Sequence, residues 1–347
     1  MTQAIEVLRS KEVEITEAEA EGVTVAILLH DIGHGPFSHA LEHTLLPVHH
    51  EELSLMLMQA LDEEFDERLG LAIQIFKDEY HKPFLHQLVS GQLDMDRMDY
   101  LNRDSFFTGV SEGVIGYDRI IKMLCVKEGR LVVEMKGLYS IEKFLIARRI
   151  MYWQVYLHKT GHAAELMLIQ TLRRARELAD EDRLPSVSPA LSFFLKDRPS
   201  REWIMDNTTE TLLQFTRLDD VDILSALKTF ATSEDFILAY LADALLDRRL
   251  FKIRMRNHFI SSDFKEKLRR TLPKAFPEQD AATLASYFIM EGKESNATYR
   301  THKDEITVIF KNQETAPLSE VSEHSIQPQT VTKYFVCYPP EVKAILK

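Results

Sequence analysis

Apolar residues recur every three to four positions along most of the chain, a spacing that is typical of amphipathic helices. In the segment 17–32, Val23, Ile27 and His30 lie on one side, and the glycines and proline of 33–36 should end the helix. The same spacing predicts further helices over 3–9, 37–46, 50–61, 66–77, 82–90, 94–104, 117–123 and 138–179. The first half of the chain is therefore predicted to be helical.

Strand patterns are short and lie far apart in the sequence. Residues 124–135 resemble a β-hairpin, and the segments 305–311 and 331–338 are rich in the β-branched and aromatic residues that favour strands. The stretch 312–330 is rich in Gln, Ser, Glu and Pro without periodicity, which indicates a flexible loop. The sequence thus predicts a mainly α protein with a smaller α+β C-terminal region.

The chain has 347 residues, whereas a single hydrophobic core usually stops growing at roughly 250–300 residues. Near the loop 184–189 the pattern changes to shorter helices. We therefore predict a helical core domain over 1–183 and a helical, then α+β, region over 184–347. The shorter helices are expected near 190–195, 209–214, 220–229, 233–246 and 262–270.

Composition narrows the classes of function. The formal net charge of -12 makes polynucleotide binding unfavourable on average, although a local pocket for a small anion stays possible. Cys125 and Cys337 are too few for a disulfide framework, so we interpret them as small buried residues. No apolar run is long enough to span a bilayer, and no signal peptide is visible. These features predict a cytoplasmic protein.

Six of the thirteen histidines fall within the segment 30–51. The imidazoles and carboxylates of this segment are His30, Asp31, His34, His39, Glu42, His43, His49, His50 and Glu51. Neutral imidazole and carboxylate are standard ligands for Zn, Fe, Mn or Ni, so an adjacent His-Asp pair can bind one ion if another element completes the site. Taken alone, such a pair is more often a capping or surface feature.

Two further segments carry charged and phenolic side chains at helical spacing. The segment 94–104 places Asp96, Tyr100 and Asp104 on one helix face, and a solvated helix explains that spacing equally well. A second stripe consists of Arg148, Tyr152, Tyr156 and Lys159, which can hold a polyphosphate and stack on a base or sugar. Spacing alone favours a core-facing helix for this stripe.

Three strings in the chain, LLHDIGHGPFSHALEH, QLDMDRMDYLNRD and ARRIMYWQVYLHK, resemble the HD-domain deoxynucleoside triphosphate triphosphohydrolases. In that family HD-x-GHGPFSH and D-x-D-x-x-D-Y-x-x-R-D are diagnostic motifs. The resemblance implies a helical HD core and one catalytic divalent ion, whether Mg, Mn, Fe, Ni or Zn. It also implies hydrolysis of a deoxynucleoside triphosphate to nucleoside and tripolyphosphate, and a homo-oligomer.

The motifs also carry site residues across from the family. Those matching metal ligands are His30, Asp31 and Asp96. The matching active-site histidines are His34, His39 and His50, with Glu42 and Glu51 as candidate orienting carboxylates. The expected substrate-binding residues from the motifs are Arg97, Tyr100, Asp104, Arg148, Tyr152 and Tyr156, where Arg97 stands in place of a usual Lys and Tyr152 in place of a usual His. Lys159 is added to them from its place in the second stripe.

The expected chemistry follows from these residue types. A bound divalent ion can lower the pKa of a water molecule, while His39 and His50 can transfer protons near neutral pH. A carboxylate hydrogen-bonded to each imidazole fixes its tautomer. Glu42 follows His39 by three residues and is within reach on one helix face, whereas Glu51 is expected to pair elsewhere.

The chain departs from the family at its beginning. Family members carry a first metal-binding histidine some tens of residues before the His-Asp pair, but no histidine precedes His30 here. We expect a truncated or misassigned start, or else a naturally degenerate member, with weakened metal binding in either case. Two alternative functions remain open: an HD phosphohydrolase acting on another nucleotide, and a catalytically inactive HD module that binds nucleotides or partners.

Overall fold

A computed structural model describes residues 1–42, 44–297, 299, 305–322 and 330–346, which form a mainly α structure. Three histidines, at positions 43, 302 and 324, lie outside this part of the chain. The first helices are α1 (Thr2–Ser10), α2 (Glu17–Leu29), α3 (His50–Glu64), α4 (Gly70–Phe76), α5 (Pro83–Val89), α6 (Met95–Thr108), α7 (Tyr117–Met123), α8 (Leu138–Met151) and α9 (Lys159–Asp180). The later helices are α10 (Pro189–Ser192), α11 (Arg201–Asp206), α12 (Thr208–Phe215), α13 (Asp220–Phe230), α14 (Phe236–Leu246), α15 (Ser262–Ala275), α16 (Ala281–Phe288), α17 (Leu318–Val321) and α18 (Pro340–Leu346).

The strands form two small sheets. They are β1 (Leu124–Lys127), β2 (Arg130–Glu134), β3 (Lys252–Arg256), β4 (Met290–Ala297), β5 (Thr307–Ile309), β6 (Thr315–Pro317) and β7 (Thr330–Tyr338). One sheet has the order β1-β2-β5-β6, in which β1 and β2 form the predicted antiparallel hairpin and β5 adds to β2 in parallel. The other has the order β3-β7-β4. The predicted fold class, mainly α with a smaller α+β C-terminal region, is confirmed.

The first compact unit comprises residues 1–33, 54–156 and 296–330. Its core contains Leu101, Ile141 and Phe144, which are fully buried, and α2 packs against α4 and α5. Helix α2 begins with a capping box in which the Thr16 hydroxyl accepts from the Glu19 amide and the Glu19 carboxylate accepts from the Thr16 amide. This capping box fixes the residue at which α2 begins. Because the helix is continuous from there, it also fixes the position of the last turn.

The second compact unit comprises residues 34–53, 157–295 and 331–347. Its core contains Met167, Leu272 and Phe288, and α9 packs against α14 and β3. Because each unit is assembled from separate segments, the contacts do not divide the chain at a single point. The predicted boundary near residue 183 stays a prediction.

The predicted helix over 37–46 is wrong. Within the described residues of that range, 37–42 and 44–46, a single 3₁₀ turn forms, over Ser38–Ala40. Both Phe37 and Ser38 have left-handed backbone angles, with φ of 54° and 48°. Glu42 accepts hydrogen bonds from His39 Nδ1, the partner that the sequence predicted, and from the His50 amide. Local bonds from side chains to the backbone compete with helix formation, which explains the irregular path.

The predicted continuous helix over 138–179 is interrupted. Helix α8 runs into a π turn over Tyr152–Tyr156, and α9 starts only at Lys159. At the break, His158 has an extended backbone, and its Nδ1 accepts a hydrogen bond from the Thr160 amide at 3.3 Å. This cap replaces helical hydrogen bonds and allows a new helix to begin.

Two smaller predictions also need correction. Helix α2 ends at Leu29, before the glycine and proline cluster, with His30 as its C-cap residue. The loop predicted over 312–330 contains β6 and α17. Among the residues that the structure describes, no helix is both long enough and apolar enough to cross a bilayer.

Candidate active site

One group of potential metal ligands lies in the first compact unit. His30 caps the end of α2, Asp31 follows it, and Asp96 lies in the first turn of α6. The Nε2 atom of His30 is 3.4 Å from Asp31 Oδ2 and 3.7 Å from Asp96 Oδ1. One ligand atom from each residue lies within 4.8 Å of the other two. The structure therefore brings together the three residues that the sequence predicted as metal ligands.

The hydrogen bonds of His30 determine which ring nitrogen faces the carboxylates. Nδ1 lies 2.7 Å from the Ile27 carbonyl oxygen, which can only accept, so Nδ1 carries the proton and Nε2 faces Asp31 and Asp96. Burial opposes protonation of this ring, but the hydrogen bond to Asp96 and the charge of Asp31 outweigh it and raise the pKa of His30 to about 9. The group thus attracts positive charge at Nε2.

Helix α6 is fixed by a buried carboxylate two residues before Asp96. Asp94 is fully buried and caps the helix by accepting from the Arg97 amide at 2.7 Å. It also accepts from the Gly91 amide and pairs with the Arg97 guanidinium. Burial raises the pKa of Asp94 against the lowering effect of Arg97. Arg97, a predicted phosphate contact, is therefore engaged by Asp94 in this structure.

A phenol and carboxylate cluster follows along α6. The Tyr156 hydroxyl donates to Asp104 Oδ2 at 2.8 Å, and the rings of Tyr100 and Tyr156 are in edge contact at 5.9 Å. Burial, and then the bond to Asp104, raise the pKa of Tyr156. Burial also raises the pKa of Tyr100, while the positive charge of Arg148 acts in the opposite direction. The predicted substrate residues Tyr100, Asp104, Arg148 and Tyr156 are thus near neighbours.

The π turn after α8 explains how two predicted tyrosines meet the same cluster. The rings of Tyr152 and Tyr156 lie 6.4 Å apart with their planes at 75°. A π turn rotates the following residues relative to an ordinary helix, and such turns are frequent at functional sites.

A cluster of three histidines lies in the second compact unit. The rings of His34 and His50 are stacked, with centroids 4.0 Å apart and planes at 17°. His39 meets His34 edge-on at 4.6 Å and His50 at 5.3 Å. One ring nitrogen from each of the three lies within 4.8 Å of the others. The sequence had predicted His34 in the glycine and proline break, His39 on a helix over 37–46 and His50 on a separate helix over 50–61. In the structure the irregular loop and the start of α3 bring the three rings together.

One carboxylate orients this cluster. Glu42 accepts from His39 Nδ1 at 3.1 Å, from His50 Nδ1 at 2.8 Å and from the His50 amide at 3.2 Å, and His49 Nδ1 is 3.5 Å away. Burial by itself raises the pKa of Glu42. The hydrogen bonds from His39 and His50 outweigh burial and lower that pKa to about 2. Glu51 is exposed in the first turn of α3, where its charge favours the helix terminus.

The stripe that the sequence predicted for the third motif is broken. Arg148, Tyr152 and Tyr156 belong to the first compact unit, but Lys159 follows the break at His158 and belongs to the second. The expectation that all four share one helix face is therefore wrong, because the π turn and the new helix change the direction of the side chains.

Lys159 instead lines a cavity of about 360 Å³ in the second unit. The other basic residues that line this cavity are Arg254, Arg256 and Lys343. The sequence interpretation missed this cavity, although alternating basic residues in Lys-Ile-Arg-Met-Arg over 252–256 are a signal for a strand with a basic face.

Comparisons with known protein families agree with the geometry. Residues 4–104 match the HD domain, and residues 115–186 match the HD associated region. The first match covers α1 to α6, which include His30, Asp31 and Asp96, and the second covers the π turn.

Similar proteins include one solved structure with close overall agreement. A phosphohydrolase from Bacteroides thetaiotaomicron is 48% identical, with a TM-score of 0.91 over 97% of this chain and 84% of that one. The uncharacterized protein YwfO of Bacillus subtilis is 28% identical over 95% of this chain and 76% of its own length. The deoxynucleoside triphosphate triphosphohydrolase SAMHD1 homolog of Dictyostelium discoideum is 30% identical over 47% of this chain and 35% of its own length.

Proposed function

This chain belongs to the HD-domain family of phosphohydrolases, and we propose that it hydrolyses deoxynucleoside triphosphates to the deoxynucleoside and tripolyphosphate. The observation that carries the proposal is the grouping of His30, Asp31 and Asp96, whose ligand atoms lie within 4.8 Å of one another. The substrate and the bond that is cut come from the motif resemblance and from the Dictyostelium relative named for that activity.

The donor set of this group fits a divalent ion. His30 offers Nε2 because Nδ1 is bound to the Ile27 carbonyl, and two carboxylates supply negative charge. Three protein ligands leave positions for water and substrate, as in catalytic metal sites. A bound ion supplies Lewis-acid stabilisation of a phosphoryl oxygen and a more acidic water.

Residues of the first unit bind the nucleotide in this proposal. The Asp104 carboxylate, held by the Tyr156 hydroxyl, accepts a hydrogen bond from a sugar hydroxyl. Arg148 supplies a permanent positive charge for the triphosphate, and Tyr100 and Tyr152 provide ring faces for the sugar. A triphosphate carries more negative charge than Arg148 alone offsets, so Arg97 exchanges part of its contact with Asp94 for the substrate.

Proton transfer is assigned to the histidine cluster. Glu42 holds Nδ1 of both His39 and His50, which leaves Nε2 of each ring to give or take a proton. The low pKa of Glu42, about 2, keeps its carboxylate ionised at neutral pH, so it remains a hydrogen-bond acceptor for both rings. His34 stacks on His50 and limits the rotation of that ring.

The proposal is tested by supplying metal-loaded protein with deoxynucleoside triphosphates, ribonucleoside triphosphates, nucleoside monophosphates and cyclic or guanosine-based signalling nucleotides. The products identify the bond that is cut. Release of tripolyphosphate from the deoxynucleoside triphosphates supports the proposal. Release of phosphate or pyrophosphate shows a different HD phosphohydrolase, and nucleotide binding without any product shows an inactive binding module.

A further inference from the structure

The turn between His34 and His39 is held by a side chain from much later in the chain. The Ala40 amide donates to the Phe37 carbonyl at 3.1 Å, so the carbonyl side of Phe37 is bonded within the turn. The Phe37 amide instead donates to Asp220 Oδ1 at 2.8 Å, across 183 residues of sequence. A carboxylate on α13 therefore completes the hydrogen bonding of this turn.

The turn needs such a contact because its backbone conformation is unfavourable. Phe37 and Ser38 are consecutive residues with left-handed angles, φ of 54° and 48°, and neither is a glycine. Residues in this conformation persist only where the surrounding structure holds them. A second contact comes from Phe215 at the end of α12, since a Cβ atom at Gly35 would lie 3.3 Å from that ring. Helices α12 and α13 thus both contact the turn.

Asp220 is not needed to cap its own helix. The N-cap residue of α13 is Asp219, whose carboxylate accepts from the amides of Val221 and Asp222. Asp222 completes a capping box by accepting from the Asp219 amide at 2.8 Å. Asp220 is the first residue of the helix, and its side chain reaches the Phe37 amide instead. The three aspartates therefore have two separate roles.

Two further contacts fix the rest of the segment that carries the histidine cluster. Arg176 on α9 donates from Nη2 to the Leu45 carbonyl at 3.0 Å. Arg201 on α11 donates to both carboxylate oxygens of Glu52, at 3.0 and 2.6 Å, and these bonds lower the pKa of Glu52. Glu52 lies two residues after His50 on α3, and all these residues belong to the second compact unit. The segment is thus attached to later helices near its start, its middle and its end.

We propose that Asp220 is a positioning residue for the histidines that transfer protons, a role that rests on the proposed function. Its bond to the Phe37 amide fixes the turn, and the turn sets the direction of His34 before it and of His39 after it. His34 stacks on His50 with centroids 4.0 Å apart, so the carboxylate affects the orientation of all three rings. Helix α13 therefore contributes to proton transfer without touching the substrate.

The first experiment examines the turn without any turnover. Hydrogen–deuterium exchange of the full chain is followed by mass spectrometry for the peptide over 35–40. Asp220→Ala should raise exchange at the Phe37 amide about tenfold, because that amide loses its acceptor. Asp220→Asn, whose side-chain oxygen still accepts, should keep most of the protection. Asp206→Ala removes the same charge from an exposed position on α11 and is the matched control.

The second experiment examines the rings. In the unaltered chain the bond to Glu42 holds a proton on Nδ1 of His39, and nitrogen-15 NMR of the imidazoles reports that tautomer. Asp220→Ala should mix the two neutral tautomers of His39, whereas the exposed His81 should keep its spectrum. His39→Asn identifies the resonances of His39. An unchanged His39 spectrum in Asp220→Ala would overturn the proposal.

The third experiment separates positioning from stability. Asp220→Ala should lower kcat by about 10–100-fold with little change in KM, because misplaced proton carriers slow the chemistry and leave the nucleotide contacts intact. Asp220→Asn should recover most of the turnover. Asp219→Ala is the control for stability: it loses the helix cap and should lower Tm at least as much, with kcat near that of the unaltered chain.

Two kinetic outcomes contradict the positioning role. One is full turnover in Asp220→Ala despite faster exchange at the turn, and the other is an equal loss of kcat in Asp219→Ala and Asp220→Ala. Failure of the proposed function is distinguishable from both, because the unaltered chain would then release no tripolyphosphate. Exchange and imidazole NMR still decide in that case whether Asp220 orients the rings.

Discussion

His30 and Asp31 of the first metal-ligand group lie in the same short stretch of sequence as the histidine cluster, yet the two groups use carboxylates differently. In the first group Asp31 and Asp96 face Nε2 of His30 and act as ligands themselves. In the cluster Glu42 lies behind the rings, at Nδ1 of His39 and His50. The difference teaches that a carboxylate beside a histidine can bind an ion or orient the ring, and that the ring nitrogen it faces distinguishes the two roles.

Asp96→Ala should have the largest effect on activity, because it removes a ligand that comes from a different helix than His30. We expect loss of the ion from this group and of hydrolysis, by more than about 10²-fold, since even changes behind a ligand cost 10–100-fold. Metal content and circular dichroism are measured together. The control is Asp99→Ala, which changes an exposed residue on the same helix. Full metal occupancy in Asp96→Ala would show that Asp96 is not a metal ligand.

His39→Asn should lower turnover by about 10²–10⁴-fold with little change in KM, because it removes a proton carrier and leaves the nucleotide contacts in place. Steady-state kinetics compare it with His81→Asn, an exposed histidine. Similar turnover numbers for the two variants would contradict the role of the histidine cluster in proton transfer.

Arg148→Ala should weaken nucleotide binding on the order of tenfold, the effect of losing one charge-assisted hydrogen bond. The loss should shrink as salt rises, because salt screens exposed charges. Binding is measured in calcium, or another ion that supports no turnover, with Arg148→Lys as the matched control. Unchanged affinity combined with a large drop in Tm would show that Arg148 stabilises the fold instead.

Glu19→Gln should affect stability and leave the cluster unaltered. The carboxylate of Glu19 is 3% exposed and binds Lys82, Tyr80 and the Thr16 amide. Its burial raises the pKa, but the bond to Lys82 and then those to Thr16 and Tyr80 lower it to about 2 from an ordinary 4.5. The substitution should cost about 2–4 kcal/mol of unfolding free energy at neutral pH.

The pH dependence of this effect has a defined sign. Because the folded-state pKa of Glu19 is depressed, its contribution is complete above pH 4.5 and is lost as the pH falls through about 2. Chemical denaturation at several pH values should therefore show the variant and the unaltered chain converging in acid. A difference that stays constant down to pH 2 would contradict the ion pair with Lys82.

Local signals in the sequence were sufficient for much of the fold. The helix over Tyr117–Met123 has the predicted bounds, and the hairpin of β1 and β2 lies within the predicted segment. In both cases the structure depends on residues close in sequence. Strand β3 was missed although residues 252–256 alternate, because the run is only five residues long and its partner, β7, lies some eighty residues later.

The candidate site was predictable in its residues but not in its geometry. The motifs identified His30, Asp31 and Asp96, and the structure groups them. The break at His158 and the loop around Glu42 were not predictable, because each depends on bonds between side chains and backbone that compete with a helical pattern. The roles of the individual residues in catalysis stay predictions.

The most direct test of metal-dependent triphosphohydrolysis is a metal add-back followed by phosphorus NMR. The protein is stripped with a chelator, Mn²⁺ is returned stepwise, and the products of a deoxynucleoside triphosphate are observed at each step. We expect no hydrolysis without metal, and tripolyphosphate as the phosphorus product once Mn²⁺ occupies His30, Asp31 and Asp96. Tripolyphosphate released by the stripped protein, or phosphate or pyrophosphate released by the loaded protein, would contradict the proposed function.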